Sequence, residues 1–284
     1  MTDIGQRAGV IGTGAFLPDR VVDNRDLAER YGCSEDWILS RTGIRERRFV
    51  EPGTSASDLG ARAAEAALRN ADVAPSDVGL IVCATYTPDM AFPSTACVIQ
   101  ERIGARPSAA FDLQAACSGF VYALATATQF VESGAIETAL VVGTDVNSNI
   151  VDPSDRKVTA LFGDGAGAVV VRRVNHGSGM LAFTLGADGS GGNLFYMPAG
   201  GSRRPSTAET VRAGEHYLRM DGPSLFRFGV EAMVRASNEA LERAGVAVGD
   251  VDLFVPHQAN LRIIDAGLSR LLGLSRTAAA AIAE

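Results

Sequence analysis

The chain has 284 residues, of which 46% are hydrophobic and 21% charged, and its formal net charge is −7. This composition is typical of a globular protein with one large or two ordinary domains, and the acidic balance argues against nucleic acid as the main partner. The longest apolar runs, such as GLIVCA at 79–84, have the length of a strand and are too short to span a membrane. The N-terminus contains no signal-peptide core, so the sequence predicts a cytoplasmic protein.

Predicted strands and helices alternate along the chain. In chain order they are a strand at 9–18, two short helices within 24–41, a helix at 58–71, a strand at 78–85, a helix at 94–104, a strand at 108–113, a helix at 119–134, strands at 138–145 and 167–174, a Gly- and Ser-rich loop at 186–206, a helix at 223–245, a strand at 252–256 and a helix from about Leu261. This alternation predicts an α/β fold with a mostly parallel sheet.

One stretch of sequence is echoed later in the chain. ALRNADVAPSDVGLIV at 67–82 and ALERAGVAVGDVDLFV at 240–255 agree at nine of sixteen positions, which favours duplication over shared α/β patterning. We therefore expect two similar α/β halves, 1–172 and 173–284, with a site between them. The counterpart of Cys117 in the second half would fall at position 290, past Glu284, so that half is expected to lack its final strands.

Two glycine-rich motifs do not fit a nucleotide-binding loop. GTGAFL at 12–17 follows a predicted strand, but Pro18 stands where a helix should begin. FGDGAGAVVV at 162–171 places its glycines before a strand, so no helix N-terminus faces a phosphate. We interpret the second motif as a tight turn with close backbone packing.

The four cysteines form no CxxC pair and no cysteine–histidine cluster at metal spacing. This pattern predicts reduced thiols and argues against a zinc site, so we expect no metal or other cofactor. A free cysteine is most often a small core residue, and Cys33, Cys83 and Cys97 fit that interpretation.

Cys117 differs from the other cysteines because it lies between a predicted strand and the start of a helix. The positive end of the helix dipole and the unpaired backbone N–H groups there favour a thiolate, and small neighbours leave room for a substrate. A core position is the alternative. His257 follows the predicted strand 252–256, at the edge of an α/β sheet where ligand sites lie, and it could partner a thiolate together with Asn260. Asn260 could instead cap the next helix.

Five motifs together resemble one enzyme family, β-ketoacyl-acyl carrier protein synthase III, whose members are condensing enzymes with the thiolase fold. The motifs, in chain order, are EDWILSRTGIRERR at 35–48, AFPSTACVIQ at 91–100, DLQAACSGF at 112–120, FGDGAGA at 162–168 and VPHQANLRI at 255–263. The resemblance runs from Gly9 to about Gly273. It implies a thiolase-like fold and an acyltransferase that initiates fatty acid biosynthesis.

The resemblance also implies a reaction without a cofactor. Cys117 takes an acyl group from acyl-CoA as a thioester. Malonyl-acyl carrier protein then loses carbon dioxide, and its carbanion attacks that thioester to give 3-oxoacyl-acyl carrier protein. His257 matches the histidine that donates a hydrogen bond to the developing enolate oxygen, and Asn260 is a supporting residue in the same motif.

Further positions match binding residues of the family. Trp37 and Arg156 match the pair that sandwiches the CoA adenine, and Arg41 matches a contact to a CoA phosphate. Phe92 matches a residue that reaches across a homodimer interface into the acyl pocket of the partner. Arg227 and Arg262 match a basic patch for the acidic carrier protein, although either could simply be a solvated helix charge.

The family has a second enolate donor, an asparagine that would fall near position 287, after Glu284, and the tail 274–284 resembles the last helix before it. The alternatives are therefore a shortened active enzyme, a protein whose missing part comes from another chain, and a non-catalytic thiolase-fold module that binds acyl-CoA or carrier protein. A relative that primes polyketide synthesis or transfers an acyl group without decarboxylation is a further alternative within enzymes.

Overall fold

The computed structural model describes residues 7–175 and 177–273. The helix implied for the tail 274–284 lies outside the described residues. The helices are α1 (Asn24–Tyr31), α2 (Glu35–Thr42), α3 (Ala56–Ala71), α4 (Thr95–Ile103), α5 (Gly119–Glu132), α6 (Arg156–Thr159), α7 (Ala208–Arg212), α8 (Gly222–Ala244) and α9 (Leu261–Leu272). The strands are β1 (Ala8–Phe16), β2 (Arg20–Asp23), β3 (Glu46–Phe49), β4 (Leu80–Ala84), β5 (Ala109–Leu113), β6 (Thr138–Val146), β7 (Asp164–Arg173), β8 (Phe195–Tyr196) and β9 (Arg219–Met220).

The chain divides into two compact units, each made of three segments. The first unit comprises Met1–Val21, Arg48–Asn147 and Gly163–Leu181, and the second comprises Val22–Arg47, Ser148–Phe162 and Ala182–Glu284. The chain therefore passes back and forth between the units, whereas duplication suggested a single change of half after residue 172. The division into 1–172 and 173–284 stays a prediction.

The first unit contains a five-stranded sheet in the order β1-β7-β6-β4-β5. β4 pairs parallel with both β5 and β6, while β7 pairs antiparallel with both β6 and β1. Four of the five strands consequently point the same way and only β7 is reversed. The carboxyl ends of β4, β5 and β6 meet at one edge of the sheet, which is where ligand sites form in open α/β sheets.

Alternating side chains of these strands build an apolar core on each face of the sheet. Ile81 and Cys83 of β4 join α3 and α4 in one buried cluster, whereas Leu80 and Val82 join α5 in the other. All four side chains are at most 1% exposed, as expected for a strand covered by helices on both faces. Of the cysteines assigned to the core, Cys83 is buried, but Cys33 and Cys97 are only half-buried.

The glycines of GTGAFL serve helix packing. A Cβ on Gly14 would lie 2.3 Å from both Ala63 O and Ala67 N, so only glycine lets α3 approach β1 this closely. The glycines of FGDGAGA also differ from the prediction, since β7 already begins at Asp164 and the motif is strand rather than turn. Pairing with β1 and β6 on its two sides supplies the backbone hydrogen bonds that make this segment a strand.

The two copies of the repeated sequence share a helix followed by a 3₁₀ turn, but only the first copy continues into a strand. A 3₁₀ turn follows α3 at Pro75–Asp77, and an equivalent turn follows α8 at Val248–Asp250. The strand predicted at 252–256 is wrong, because no segment within 7–175 or 177–273 pairs with it. Without ladder partners, two residues of its apolar run stay open to solvent: Leu253 is 73% and Val255 78% exposed.

In the second unit, α8 packs against α9. The contact is close at Gly267, where a Cβ would lie 2.4 Å from Met233 Sδ. Ile264 and Leu268 of α9 form a small buried cluster. β8 lies inside the predicted loop 186–206 and pairs antiparallel with β9, which follows that loop. Throughout the described ranges, every helix is too short or too polar to traverse a lipid bilayer.

Candidate active site

Cys117 occupies the predicted junction between a strand and a helix. β5 ends at Leu113, a 3₁₀ turn follows at Ala116–Ser118, and α5 begins at Gly119. Ala116 has a φ of 45°, an uncommon value for a residue with a side chain, and strain of this kind clusters at functional sites. The turn leaves Cys117 exposed, so the alternative of a core cysteine is wrong. A thiol in this position can be reached by a substrate.

Although a helix terminus favours a thiolate, the net effect of the surroundings on the Cys117 thiol is the opposite. The pKa of Cys117 is raised, first because surrounding protein partly desolvates the thiol and then because the Asp145 carboxylate is nearby. A backbone hydrogen bond opposes these two effects without outweighing them. The thiol therefore carries its proton at neutral pH and needs a proton acceptor when it attacks.

Asp145 is a functional candidate that the sequence analysis missed. It lies near the carboxyl end of β6, and its Oδ1 accepts hydrogen bonds from the hydroxyls of Thr85 and Thr87 at 3.1 and 2.9 Å and from the backbone N–H of Tyr86 at 3.0 Å. Desolvation nevertheless raises its pKa. The signal in the sequence is an acidic residue inside the otherwise apolar strand TALVVGTDV. This carboxylate fixes the turn after β4, at the edge of the sheet to which β5 delivers Cys117.

Neutralising Asp145 is expected to make Cys117 more acidic. The carboxylate raises the pKa of the thiol, so Asp145→Asn should lower that pKa and shift the midpoint of a pH–rate profile for iodoacetamide alkylation to lower pH. Asp112→Asn is the matched control, because Asp112 hydrogen-bonds to the first turn of α4 and does not affect the thiol pKa. A profile that stays in place in Asp145→Asn would contradict the assigned electrostatic role.

Phe92 is the most exposed large apolar residue of the described chain, with 84% of its surface open. The segment that carries it is fixed on both sides. Asp89 accepts hydrogen bonds from the backbone N–H and hydroxyl of Ser57 at 2.9 and 2.6 Å, and Asp112 accepts from the backbone N–H of Thr95 at 2.7 Å. An exposed aromatic side chain on a fixed segment suits a contact with another chain, as predicted for the homodimer.

His257 and Asn260 lie together just before α9 in the second unit. Asn260 caps the helix, since its Oδ1 accepts the backbone N–H of Ile263 at 3.0 Å, so the capping interpretation is confirmed. His257 is exposed, and partial desolvation lowers its pKa. The imidazole is therefore neutral at pH 7 and offers one N–H donor and one acceptor. Cys117 belongs to the first unit, and its pairing with His257 stays a prediction.

Three predicted CoA-binding residues meet in the second unit. Trp37 and Arg41 are four residues apart on α2, and Arg156 is the first residue of α6. The guanidinium carbons of Arg41 and Arg156 lie 4.7 and 4.6 Å from the centroid of the half-buried Trp37 ring. Both contacts are within the range of a cation–π interaction. An aromatic ring between Trp37 and Arg156 needs about 3.5–4 Å on each side, so these two side chains must separate to admit one.

The two arginines assigned to the carrier-protein patch lie on neighbouring helices. Arg227 is on α8 and Arg262 on α9, and both are exposed. The guanidinium of Arg262 lies 5.6 Å from the ring centroid of Phe226, the residue next to Arg227. α8 packs against α9, so the two charges are carried by neighbouring helices, which an electrostatic patch on an acidic protein requires.

Among the described residues, no three His, Cys, Asp or Glu side chains form a group that could hold a metal ion.

Family models match two parts of the chain. The model for 3-oxoacyl-[acyl-carrier-protein] synthase III matches residues 111–189, and the model for the C-terminal part of the same enzyme matches residues 241–284. The first match includes Cys117, and the second includes His257 and Asn260. The resemblance found in the short motifs is therefore confirmed in both parts of the chain.

Similar proteins cover most of the chain. The β-ketoacyl-[acyl-carrier-protein] synthases III of Caldanaerobacter subterraneus and Desulfitobacterium hafniense strain Y51 are 49% and 48% identical to it, with 93% of this chain and 80% of each relative covered. The structure of 3-oxoacyl-[acyl-carrier-protein] synthase III from Aquifex aeolicus matches with a TM-score of 0.84 at 42% identity, covering 94% of this chain and 81% of that one. The priming β-ketosynthase of the R1128 polyketide pathway matches with a TM-score of 0.87 at 38% identity, covering 95% and 80%.

Fold and sequence together define a condensing acyltransferase with a thiolase-like α/β fold. The chain belongs to the β-ketoacyl-[acyl-carrier-protein] synthase III family. The predicted fold class is confirmed, and the non-catalytic module is not favoured. The curated synthases III of Caldanaerobacter subterraneus and Desulfitobacterium hafniense share more of this sequence than the polyketide-priming enzyme does, which supports the role in fatty acid biosynthesis.

Proposed function

We propose that this protein catalyses the first condensation of fatty acid biosynthesis, from acyl-CoA and malonyl-acyl carrier protein. The exposed thiol of Cys117 at the start of α5, within the segment that matches the family, is the observation that carries the proposal. The relatives are named for synthesis on acyl carrier protein, and the chain shares nearly half of its residues with them. Cytoplasmic location and a homodimer joined near Phe92 stay predictions.

The first half-reaction transfers the acyl group to the enzyme. The Cys117 sulfur attacks the thioester carbonyl of acyl-CoA, its proton goes to a base or water, and CoA leaves as the thiol once protonated. Because the thiol pKa is raised, the proton must be removed during the attack, and an exposed neutral imidazole such as that of His257 has the acceptor nitrogen for this step. The product is an acyl thioester on Cys117.

The second half-reaction forms the carbon–carbon bond. The C–C bond to the malonyl carboxylate breaks, carbon dioxide leaves, and the electron pair becomes an enolate on the remaining thioester. The N–H of His257 donates a hydrogen bond to that enolate oxygen, with Asn260 holding the backbone that positions the imidazole. The enolate carbon then attacks the acyl thioester, and Cys117 leaves as a thiolate that regains its proton.

The experiment that tests this function measures all products of one reaction. The protein is incubated with acetyl-CoA and malonyl-acyl carrier protein, and 3-oxobutanoyl-acyl carrier protein, CoA and carbon dioxide are quantified. We expect the three products in equal amounts, with branched and longer acyl-CoAs tested in parallel for the preferred primer. Release of CoA without any 3-oxoacyl product from any primer would overturn the proposal.

Removing the indole of Trp37 is expected to weaken acyl-CoA binding. Stacking of a base on an aromatic side chain contributes about 1–3 kcal/mol, so Trp37→Ala should raise the Kd for CoA about tenfold or more in isothermal titration calorimetry. Trp37→Phe keeps a smaller ring and should lose less. Acylation of Cys117 at saturating acyl-CoA should persist in both variants. An unchanged Kd in Trp37→Ala would remove this residue from the CoA site.

Reversing the charge of the patch is expected to weaken recognition of the acidic carrier protein. Arg227→Glu and Arg262→Glu should each raise the KM for malonyl-acyl carrier protein about five- to tenfold, an effect that high salt reduces. The KM for acyl-CoA should stay the same. Arg69→Glu changes the net charge equally at an exposed position of α3 in the first unit and serves as the control. Equal effects of all three variants would show that only net charge matters.

A further inference from the structure

Arg47 stands apart from the other arginines because it is buried. It is 5% exposed, and no other arginine of the described residues is classed as buried. It lies in the motif EDWILSRTGIRERR, beyond the residues to which the sequence analysis gave a role. Burial lowers the pKa of its guanidinium, and the carboxylates of Asp23 and Glu46 oppose this. A charge is retained in such a place only when it is well paired, so its partners indicate what it does.

The guanidinium of Arg47 binds three acceptors on two separate segments of the second unit. Nη1 donates to Val22 O at 3.1 Å and to Asn24 Oδ1 at 3.0 Å, and Nη2 donates to Asn24 Oδ1 and Ala160 O, both at 3.0 Å. Asn24 extends the network, since its Nδ2 donates to Ile44 O at 2.8 Å. The planar guanidinium makes these bonds in fixed directions, which a lysine ammonium cannot reproduce.

The segments joined in this way carry the residues assigned to CoA. Ala160 directly follows α6, which begins with Arg156, and Ile44 lies two residues after α2, which carries Trp37. The Arg47 network therefore holds the carboxyl ends of both helices. Tyr31 adds a second connection, because its hydroxyl donates to Pro153 O at 2.8 Å, just before α6. With only four residues, α6 depends on such contacts for its position.

We propose that Arg47 is a positioning residue for the binding of coenzyme A. It sets the spacing between Trp37 and Arg156 without touching the ligand. This inference rests on the proposed function, in which these two side chains stack on the adenine. The guanidinium carbon of Arg156 now lies 4.6 Å from the centroid of the Trp37 ring, and this distance must widen to admit an adenine ring. For the adenine to be held on both faces, α6 must keep Arg156 at one defined distance from Trp37. A buried network that ties α6 to the end of α2 provides that distance.

The test uses Trp37 as a built-in reporter, because it is the only tryptophan of the chain. CoA is titrated into wild type, Arg47→Lys and Arg47→Met, and the change in Trp37 fluorescence gives the Kd. We expect the Kd to rise about tenfold in both variants, while the rate of Cys117 acylation at saturating acetyl-CoA stays within about twofold of wild type. Tyr31→Phe removes the second connection, and we expect a smaller rise in a protein that folds normally.

A control separates positioning from a general loss of stability. Ser57 is fully buried in the first unit and hydrogen-bonds to Asp89, so Ser57→Ala should lower the melting temperature without changing the Kd for CoA. An unchanged Kd in the folded Arg47 variants would overturn the inference, whatever Tyr31→Phe shows. Trp37→Ala removes the fluorescent reporter, so its Kd for CoA is measured by isothermal titration calorimetry, and it shows whether the positioning role or the whole CoA site fails. If it weakens CoA binding and the Arg47 variants do not, only the positioning role fails; if it does not, the assigned CoA site fails with it.

Discussion

Cys117→Ala is expected to abolish transfer of an acyl group from acyl-CoA to the protein. The exposed thiol at the start of α5 is the assigned nucleophile, and loss of a nucleophile lowers the rate of covalent catalysis by at least about 10³-fold. Intact-mass spectrometry after incubation with acetyl-CoA should show the acetylated protein in wild type and none in the variant. Peptide mapping should place the acetyl group on Cys117.

Another cysteine provides the control for this experiment. Cys33 is half-buried and lies before α2, away from the family motif around Cys117, so Cys33→Ala should acetylate at the wild-type rate. Acetylation that persists in Cys117→Ala would contradict the assignment of the nucleophile. Loss in both variants would also contradict it, because it would show that the label depends on more than one thiol.

His257→Ala is expected to separate the two half-reactions. The enolate that forms on decarboxylation has its charge on an oxygen, and removal of one hydrogen-bond donor to such an oxygen typically costs about 10²–10³ in rate. We therefore expect formation of 3-oxoacyl-acyl carrier protein to fall by about that factor. Acetylation of Cys117 should continue, more slowly if the acceptor nitrogen of the neutral imidazole takes the thiol proton.

Asn260 offers a comparison for the histidine. Its side chain caps α9, so Asn260→Asp keeps an oxygen acceptor for the N–H of Ile263 and should preserve the helix start. If condensation falls in His257→Ala and remains in Asn260→Asp, the imidazole acts directly and the asparagine acts through the backbone. Condensation at the wild-type rate in His257→Ala would contradict the donor role.

The sequence was sufficient to predict the elements that local patterns define. The periodic apolar residues of α3 and the continuous apolar run of β4 gave the correct types and nearly the correct ends, and the junction at Cys117 followed from the strand and helix on either side of it. The segment 252–256 has the same apolar pattern as β4, yet it is not a strand. A strand requires hydrogen bonds to neighbouring strands, and such partners are not encoded in the segment itself.

The electrostatics of the site could not be predicted from local sequence. The dipole of α5 suggested a lower pKa for Cys117, but burial of the thiol and Asp145, which arrives from β6, raise it. Arg47 was equally hidden, because nothing in the string RERR distinguishes a buried guanidinium from its exposed neighbours. Its partners Val22 and Ala160 are distant in the chain, so only the folded second unit shows what it connects.

The measurement that tests the account most directly follows one labelled acyl group through Cys117. The protein is first loaded with [¹³C]acetyl-CoA, freed of unbound CoA, and then mixed with unlabelled malonyl-acyl carrier protein in a single turnover. We predict that the label leaves Cys117 and appears in 3-oxobutanoyl-acyl carrier protein, with release of one unlabelled carbon dioxide for each acyl group transferred. Label that stays on Cys117, or leaves only as free acetate, would contradict the assignment of this protein as a condensing enzyme.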